Sequence, residues 1–506
     1  MSEQHPVVPI GGTEGTDCRS LPGWIRSCSA YAFAPLLLGW LTACSLVPTW
    51  HRPDMPMAQS WDGAARLSLA DAVTVRSGWW RNYQDSQLNA LVERSLQNNF
   101  SLASALASVN LARANAQTAG APLYPNVSLG GTLTRNYKSS SSSGPDNANS
   151  SSAGQSLFAE ASYEIDFWGL NSANANAARM LARASEFDRD TVALTLTASV
   201  TDTYFQIQSL RQRLKLARAI EHNAHHILDL LLAQQQAGVA TQLQIEQQRN
   251  ALATFQAAIP ALQQQLETGM HLLATLEGET PEQFVIGDAK IDAIPIPQPR
   301  PNAPATLLET RPDIRSKEAQ LKSENYSVGA ARAAFLPNIV LTADGGLSSD
   351  TLSRFLSSPY SSLAAVLAGP LLDNGALRGQ LHANQAAFAK ATADYRQTVV
   401  SALQDVEDSL SAQQQGALAE TAQQAAAGAA RKAAVIAQAQ YEGGTIDFLS
   451  VLDAQRTLYQ AQDALAQARL QRLQASVSVF RAFGGGAGIT TDTPIPLAAI
   501  SSSVSH

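Results

Sequence analysis

The residues best suited to chemistry fall into three small groups, and the first is a set of histidines. His222, His225 and His226 recur at spacings of three and four, which would place their imidazoles on one face of a helix. Only Asp229 lies close enough in the sequence to extend such a ligand set, and no cysteine is near. We therefore interpret the histidines as a solvated helix face and predict no metal site.

A second group, Arg311-Pro312-Asp313, mixes charges as a catalytic cluster would. Proline at the first position of a helix with Asp in its first turn is also a common way to start a helix, so we interpret the group as structural. The sequence contains no Gly-rich phosphate loop, nucleophile elbow or zinc motif. We predict no enzymatic activity and no cofactor.

The third group is Leu41-Thr42-Ala43-Cys44, which follows a basic region and an apolar run of 12 residues. It resembles the bacterial lipobox, whose Cys is lipidated after cleavage before it. This predicts a lipoprotein signal peptide over residues 1–43 and a covalent lipid on Cys44; an ordinary secretory leader is the alternative. Ser45 is not the Asp that retains lipoproteins in the inner membrane, which favours the outer membrane.

Composition limits the class of protein. The chain has 506 residues, of which 45% are hydrophobic and 15% are charged, enough for a large core or several domains. A net charge of -7 without any basic run argues against a nucleic-acid partner. No apolar run of 18 residues occurs after the leader, so any membrane crossing must use β-strands.

Two turn-like stretches organise the chain. Gly443-Gly444 is expected to end one long helix and Asp447 to cap the next, which predicts the tip of a helical hairpin. Gly238 lies 206 residues before Gly444 in a similar stretch, so the hairpin tip is duplicated.

The first half of the chain alternates between helical and strand patterns. Apolar residues at helical spacing run from Leu88 to Ala119, and alternating patterns over 126–138 and 157–166 predict a β-hairpin with a Ser-rich loop. A helix of about 67 residues should follow as far as Gly238, and a second should return from 243 to 276. Pro260 should kink or break this returning helix.

The second half repeats the first. Leu336 to Leu341 matches Tyr124 to Leu129 at an offset of 212, and the long helices match at an offset of 206. We predict the following organisation: signal peptide 1–43, lipid-anchored tether 44–78, first repeat 79–278 with a β-hairpin over 126–166, Pro-rich linker 279–304, second repeat 305–486 with a β-hairpin over 338–371, and disordered tail 487–506.

Four amphipathic strands cannot close a membrane barrel, because the smallest known barrels have eight. An open sheet edge is not tolerated in lipid, so a membrane-spanning sheet must be shared between chains. Two chains would give a filled barrel of eight strands, and three would give twelve strands with room for a lumen.

Several stretches, in this order, resemble the outer membrane efflux protein family, the NodT-type lipoprotein channels of tripartite resistance-nodulation-division pumps. The most specific is Arg311-Pro312-Asp313-Ile314-Arg315. The others include Tyr163 to Gly169, Ala334 to Pro337, Val451 to Arg456 and Ala482 to Gly486.

The resemblance implies an α+β membrane protein with an internal two-fold repeat. Three chains would form a 12-stranded β-barrel, with four strands from each chain, continuous with a long α-helical coiled-coil barrel in the periplasm. The implied function is a passive outer membrane export duct for drugs or other small molecules. The implied partners are a periplasmic adaptor protein, a resistance-nodulation-division pump of the inner membrane, and outer membrane lipid.

The family closes its periplasmic tip with acidic pore residues and a Tyr latch. By position, these roles fall on Asp453 and Tyr441, with Asp447 as a further candidate. Ser450 and Ile446 occupy positions that are acidic and basic in related channels, so the latch here must differ. Four aromatic residues near the strand ends are candidates for the membrane interface: Tyr163, Phe167, Trp168 and Phe335.

Two other functions stay open at this point. A type I protein-secretion channel would share the architecture, although the lipobox and the Arg-Pro-Asp-Ile block favour drug efflux. A structural lipoprotein that spans the periplasm without a pore would have no use for paired strands with Ser-rich loops.

Overall fold

The computed structural model describes residues 46–62, 75–138, 150–300 and 303–486. Cys44, the predicted signal peptide 1–43, the loop between the first two strands and the predicted tail 487–506 lie outside these residues. The helices are α1 Ser86–Asn98, α2 Phe100–Gly120, α3 Leu170–Gln236, α4 Gln242–Glu277, α5 Leu307–Thr310, α6 Pro312–Ala333, α7 Ala376–Glu442 and α8 Phe448–Ala482. The strands are β1 Asn126–Lys138, β2 Ser150–Ile165, β3 Asn338–Ser349 and β4 Pro359–Ala368.

The two long helices, α3 and α7, have 67 residues each, so each is on the order of 100 Å long. Near the sheet the helices pack side by side in the order α2, α3, α6, α7; towards the tips the order is α4, α3, α8, α7. α3 therefore lies between two shorter helices at both levels, whereas α7 packs first on α6 and then on α8. None of the helices in the described ranges has the long apolar run that a bilayer crossing needs.

The short helices meet end to end at two equivalent joints. In the first half the Asn99 side-chain amide donates to the carbonyl of Leu276, at 2.9 Å, where α4 ends. In the second half the Arg311 guanidinium donates to the carbonyl of Ala482, at 3.2 Å, where α8 ends. Asn99 and Arg311 are 212 residues apart, the offset of the repeat in this region.

Arg311 also binds two carboxylates, which explains the Arg-Pro-Asp block. Its guanidinium contacts both oxygens of Asp313, at 3.0 and 2.6 Å, and one oxygen of Asp405, at 3.1 Å. Pro312 is the first residue of α6. The block therefore joins three helices, and the structural interpretation is confirmed.

The strands form one antiparallel sheet in the order β1, β2, β3, β4. β2 and β3 come from different halves of the chain and pair from Gln155–Ser349 to Ile165–Ile339. The sheet therefore joins the two repeats, and β1 and β4 form its edges. β4 ends at Ala368, so residues 369–371 of the predicted hairpin lie outside the strand.

The structure refines three predictions. The run from Leu88 to Ala119 is broken at Asn99, whose side chain caps α2. The returning helix continues through Pro260, so the predicted break is absent and the kink stays a prediction. The predicted tether is irregular but contacts the helices: Arg52 pairs with Glu318 of α6 at 2.9 Å, and Asn325 of α6 donates to the Pro48 carbonyl at 2.9 Å.

Aromatic side chains pack together where the N-terminal segment, α3 and α8 meet. The Trp79 ring stacks on Phe480 at 5.2 Å between centroids, and Tyr83 packs edge-on against Phe205 at 5.0 Å. The Tyr83 hydroxyl donates to Ser476, and burial raises the Tyr83 pKa well above its usual range. Both halves and the N-terminal segment thus share one apolar core.

We predict that Gly484→Ala and Gly278→Ala each destabilise the protein by about 1–3 kcal/mol. Both glycines have left-handed φ, 83° and 72°, and an added Cβ would lie 2.7 Å from the Thr310 carbonyl oxygen or 2.5 Å from that of Asn98. Thermal unfolding of the purified protein measures the effect. Gly428→Ala is the matched control: this helical glycine has open space at its Cβ, so Ala should be neutral or stabilising. Equal melting temperatures for all three variants would contradict the prediction.

Candidate functional site: the two hairpin tips

The first tip joins α3 to α4 and is held by backbone and side-chain caps. Gly238 has φ 76°, and the Val239 amide donates back to the Gln234 carbonyl at 2.9 Å. Thr241 and Gln244 form a reciprocal capping box at the start of α4. The tip carries no acidic side chain between Gly238 and Ile245.

The second tip joins α7 to α8 with the same backbone geometry. Gly444 has φ 71°, whereas Gly443 has right-handed φ -80°, so only Gly444 needs to be glycine. Asp447 caps α8 and accepts hydrogen bonds from the Ser450 amide, at 2.9 Å, and the Ser450 hydroxyl. These two hydrogen bonds hold the Asp447 pKa below its usual range. The predicted cap is confirmed.

Tyr441 lies in an apolar cluster that joins the two hairpins. Its ring packs against Phe448 at 5.4 Å between centroids. The same cluster contains Ile227 and Leu231 of α3 and Ile245 of α4. Burial raises the Tyr441 pKa. The Tyr predicted for a latch therefore makes apolar contacts in this chain.

Asp453 is exposed and has a partner within its own helix. Its carboxylate accepts from Arg456 at 2.7 Å, and both side chains are about two-thirds exposed, 64% and 65%. An exposed pair of this kind stabilises little. Asp453 and Arg456 line a small groove between α4 and α8 with Phe255 and Leu452.

A buried ion pair that the sequence did not reveal fastens α8 to α3 above the tips. Arg213 contacts both carboxylate oxygens of Asp463, at 2.6 and 3.2 Å, and both side chains are largely buried. Below it, Phe255 of α4 packs edge-on against Tyr459 of α8. Arg213 and Asp463 are 250 residues apart, so no local spacing could have paired them.

The four aromatic candidates lie where the sheet meets the helices. The Trp168 indole donates to the Pro337 carbonyl at 2.7 Å, which ties the first half to the second. Phe167 packs edge-on against Trp168 at 4.7 Å and is 41% exposed. Phe335 is 36% exposed, and Tyr163 is opposite Leu341 in the sheet.

The histidine group lies on an exposed part of α3. His225 contacts Asp229 at 3.1 Å, and both side chains are more than half exposed. Among the residues that the structure describes, no group of three or more His, Cys, Asp or Glu side chains is arranged to hold a metal ion. The predicted solvated face agrees with this exposure.

Comparison with known proteins identifies the family. The family model described as outer membrane efflux protein matches residues 91–279 and 303–485. The chain belongs to the outer membrane efflux protein family. This family consists of channel proteins of the outer membrane that reach into the periplasm, not of enzymes.

Relatives cover nearly the whole efflux protein. It is 35% identical to the pyoverdine export outer membrane protein OpmQ of Pseudomonas aeruginosa, over 90% of this chain and 95% of the relative. It is 38% identical to OpmQ of Pseudomonas putida, over 89% and 96%. The solved outer-membrane channel OprN superposes with a TM-score of 0.79 at 28% identity, over 88% of this chain and 99% of OprN.

The family model matches the chain in two separate ranges, and these correspond to the two repeats of the fold. The gap between the two ranges lies within the linker. Part of this linker is fixed to α3, because Arg211 donates to the Gly287 and Ile286 carbonyls.

We predict that Asp447→Ala loosens the second tip without changing the rest of the efflux protein. The substitution removes the hydrogen bonds that Asp447 accepts in the first turn of α8. Hydrogen exchange at the first turn of α8 should therefore become about fivefold faster, while exchange in α4 stays unchanged. Asp453→Ala is the control, because its carboxylate caps no helix. The prediction is wrong if the two variants exchange alike.

Proposed function

We propose that three copies of this chain form an outer membrane channel that serves as a passive duct in a tripartite efflux pump. The observation that carries the proposal is the four-stranded sheet with β1 and β4 as open edges. An open edge in lipid leaves backbone groups without hydrogen bonds, so β4 of one copy must pair with β1 of the next. Three copies give twelve strands, enough to leave a lumen.

The two faces of the sheet support this arrangement. One face is apolar over most of its length and includes Leu129, Leu157, Leu341 and Leu363, with Arg135 and Gln155 towards the end away from the helices. Leu129 and Leu363 are 77% and 81% exposed in the single chain. This face suits lipid, and the opposite face would then line the lumen.

The lumen-side face carries an acidic patch. Glu160 and Asp344 are directly opposite in the register of β2 and β3, and Glu164 lies further along the same face of β2. Asp344 accepts a hydrogen bond from Ser362. No Lys or Arg occupies this face of β2 or β3. Like charges directly opposite cost stability, so their presence fits a role in the lumen.

Two helices carry exposed rows of residues that could form the contact between neighbouring copies, called the seam below. Exposed residues on α2 follow a 4-3 spacing: Phe100, Ser104, Ala107, Leu111, Ala114 and Thr118. Exposed small residues on α7 recur every seven positions: Gly379, Ala386, Ala393 and Val400. Both helices are the outer members of the layer near the sheet. We propose that α2 of one copy packs on α7 of the next, as in a coiled coil.

The tips are proposed as the gate. Asp453, Asp447, Tyr441 and Ser450 lie at the second tip, which would surround the axis in the trimer. Since Asp447 is bonded to Ser450 and Asp453 to Arg456, we propose that closure depends mainly on the Tyr441 cluster and on the Arg213–Asp463 pair. The first tip would then face a periplasmic adaptor.

The remaining assignments complete the proposal. A lipid on Cys44 would anchor the chain in the outer membrane, and Tyr163, Phe167, Trp168 and Phe335 would mark the membrane interface. An adaptor and an inner membrane pump of the resistance-nodulation-division type would supply substrate and energy. Since relatives are named for the export of pyoverdine, and others for toluene or antibiotic efflux, the cargo is proposed to be a small molecule.

We predict that Leu111→Asp dissociates the trimer. The side chain is 64% exposed in the single chain, and a carboxylate buried in the proposed α2–α7 seam would lack a partner. Size-exclusion chromatography with light scattering measures the oligomer in detergent. Gln117→Asp is the control on the same helix, since this exposed residue lies outside the 4-3 spacing of the seam. A trimeric Leu111→Asp variant would place the seam elsewhere, and monomeric wild-type protein would refute the assembly itself.

We predict that purified protein conducts ions in planar bilayers and that Glu160→Gln with Asp344→Asn reduces its preference for cations over anions. The two carboxylates would raise the cation concentration in the lumen, so neutral amides should shift the reversal potential in a KCl gradient toward zero. Glu93→Gln with Asp54→Asn is the charge-matched control, because both residues lie outside the sheet. Absence of any conductance from intact trimers, even after Tyr441→Ala and Asp463→Ala remove the proposed closing contacts, would contradict the channel.

A further inference from the structure

A deep groove on each protomer takes no part in the proposed duct or gate. It has a volume of about 820 Å³ and lies over α8, between α3 on one side and α7 on the other. Its walls come from both halves of the chain. Its upper end is closed by Asp292 of the linker.

The groove has unpaired positive charge on both walls. Lys215 of α3 and Arg431 of α7 are exposed and make no ion pair with any residue that the structure describes. Two further cations, Arg469 and Arg472 of α8, share the single carboxylate of Glu420. The groove is thus cationic in a chain whose net charge is -7.

Between its charged groups the groove is lined by aliphatic and amide side chains. Leu216, Leu465 and Ala466 supply aliphatic surface, and Gln424 and Gln462 supply amide groups. This combination suits a ligand with both aliphatic and acidic side chains. A glycan strand or a nucleic acid would match the charge but would bring few aliphatic groups to this lining.

The groove is rigidly built and lies away from the tips. Arg469 donates to the carbonyls of Asp292 and Ile294, and Gln212 donates to the Asp292 carboxylate at 2.9 Å, so the linker is fixed at its upper end. Lys215 is 23 residues from Gly238 along α3, which is about 35 Å, and Arg431 is 13 residues from Gly444 along α7, which is about 20 Å. The groove is therefore separate from the proposed adaptor contact at the first tip.

The groove also lies on the same side of the helical layer as the linker, because Asp292 belongs to both. The segment from 279 to 304, folded over the inside of a tube, would obstruct it. On the proposed function, the linker side is therefore the outside of the tube, and the groove is open to the periplasm.

We propose that this groove docks an acidic amphipathic helix of a periplasmic protein partner. Glu or Asp side chains of the helix would pair with Lys215 and Arg431, and its aliphatic side chains would cover Leu216 and Leu465. Pairing on both walls would fix the helix roughly parallel to α8. The site rests on the proposed function only for its exposure to the periplasm.

The test uses a fluorescein-labelled synthetic helix of on the order of 16 residues, with Leu at i, i+3, i+4 and i+7 and Glu on its flanks. Fluorescence anisotropy against the purified trimer in nanodiscs should show binding that weakens as salt rises. Lys215→Glu with Arg431→Glu should lower the affinity at least about tenfold. A Leu/Lys helix of the same length should not bind.

The matched control is Arg218→Glu with Lys432→Glu. These exposed residues lie on the same two helices, three positions and one position away, but do not line the groove. The control makes the same change in net charge and should leave the affinity unchanged. If Lys215→Glu with Arg431→Glu does not assemble, Lys215→Gln with Arg431→Gln carries the same test, with a smaller expected loss.

Three results would overturn the proposal. If the groove and control variants bind the peptide with equal affinity, the groove is not the binding site. A photocrosslink from the peptide to the tips would place the contact there instead. Retention on purified peptidoglycan sacculi that is lost in the groove variant, without peptide binding, would assign the groove to a glycan polymer. Conductance of the groove variant separates these results from a failure of the duct: normal conductance with lost peptide binding supports the site and leaves the duct intact.

Discussion

The fold depends on a joint that occurs twice, where the returning helix of each half ends against the helix that begins the half. At each joint a side chain donates a hydrogen bond to a carbonyl in the last turn of the returning helix: Asn99 to Leu276 and Arg311 to Ala482. The chain then turns at a glycine with left-handed φ, Gly278 or Gly484, which lies so close to a backbone carbonyl that a Cβ would not fit. Without these joints the short helices could not stack end to end, and α3 and α7 would lack neighbours over part of their length of about 100 Å.

The sequence allowed the repeat, the tips and the strand faces to be predicted because each depends on local spacing or on a fixed offset. Asp447 as a cap and Gly444 as a turn follow from rules that act within a few residues. The same rules could not find the Arg213–Asp463 pair, since its two residues are far apart in sequence and neither has unusual neighbours. They also gave no sign that Pro48 and Arg52 contact α6, because the prolines of this irregular segment hide any period.

The second tip differs from the acidic constriction that its residues suggested. Asp447 stays ionised but is held as a helix cap by Ser450, and Asp453 is paired with Arg456 of its own helix, so neither carboxylate contacts the other hairpin. Contacts between the hairpins are instead apolar, through Tyr441 and Phe448, with one buried ion pair higher up. Ile446, where related channels have a basic latch residue, fits this pattern, because apolar closure needs no ionic partner at that position.

The proposed tube would have six grooves related by the repeat and by the trimer, and only three of them are cationic. Shifting its residues by the offset of 206 converts Lys215 to Thr421, Arg431 to His225 and Arg472 to Leu266. The equivalent groove, which would lie between neighbouring copies over α4, therefore lacks the cations. A trimer would present three cationic grooves alternating with three neutral ones. A partner that recognises charge would bind with one copy per chain, although the helical wall itself is nearly six-fold. In the proposed trimer the duplication would supply a regular tube, and divergence between the halves would mark where on it a partner binds.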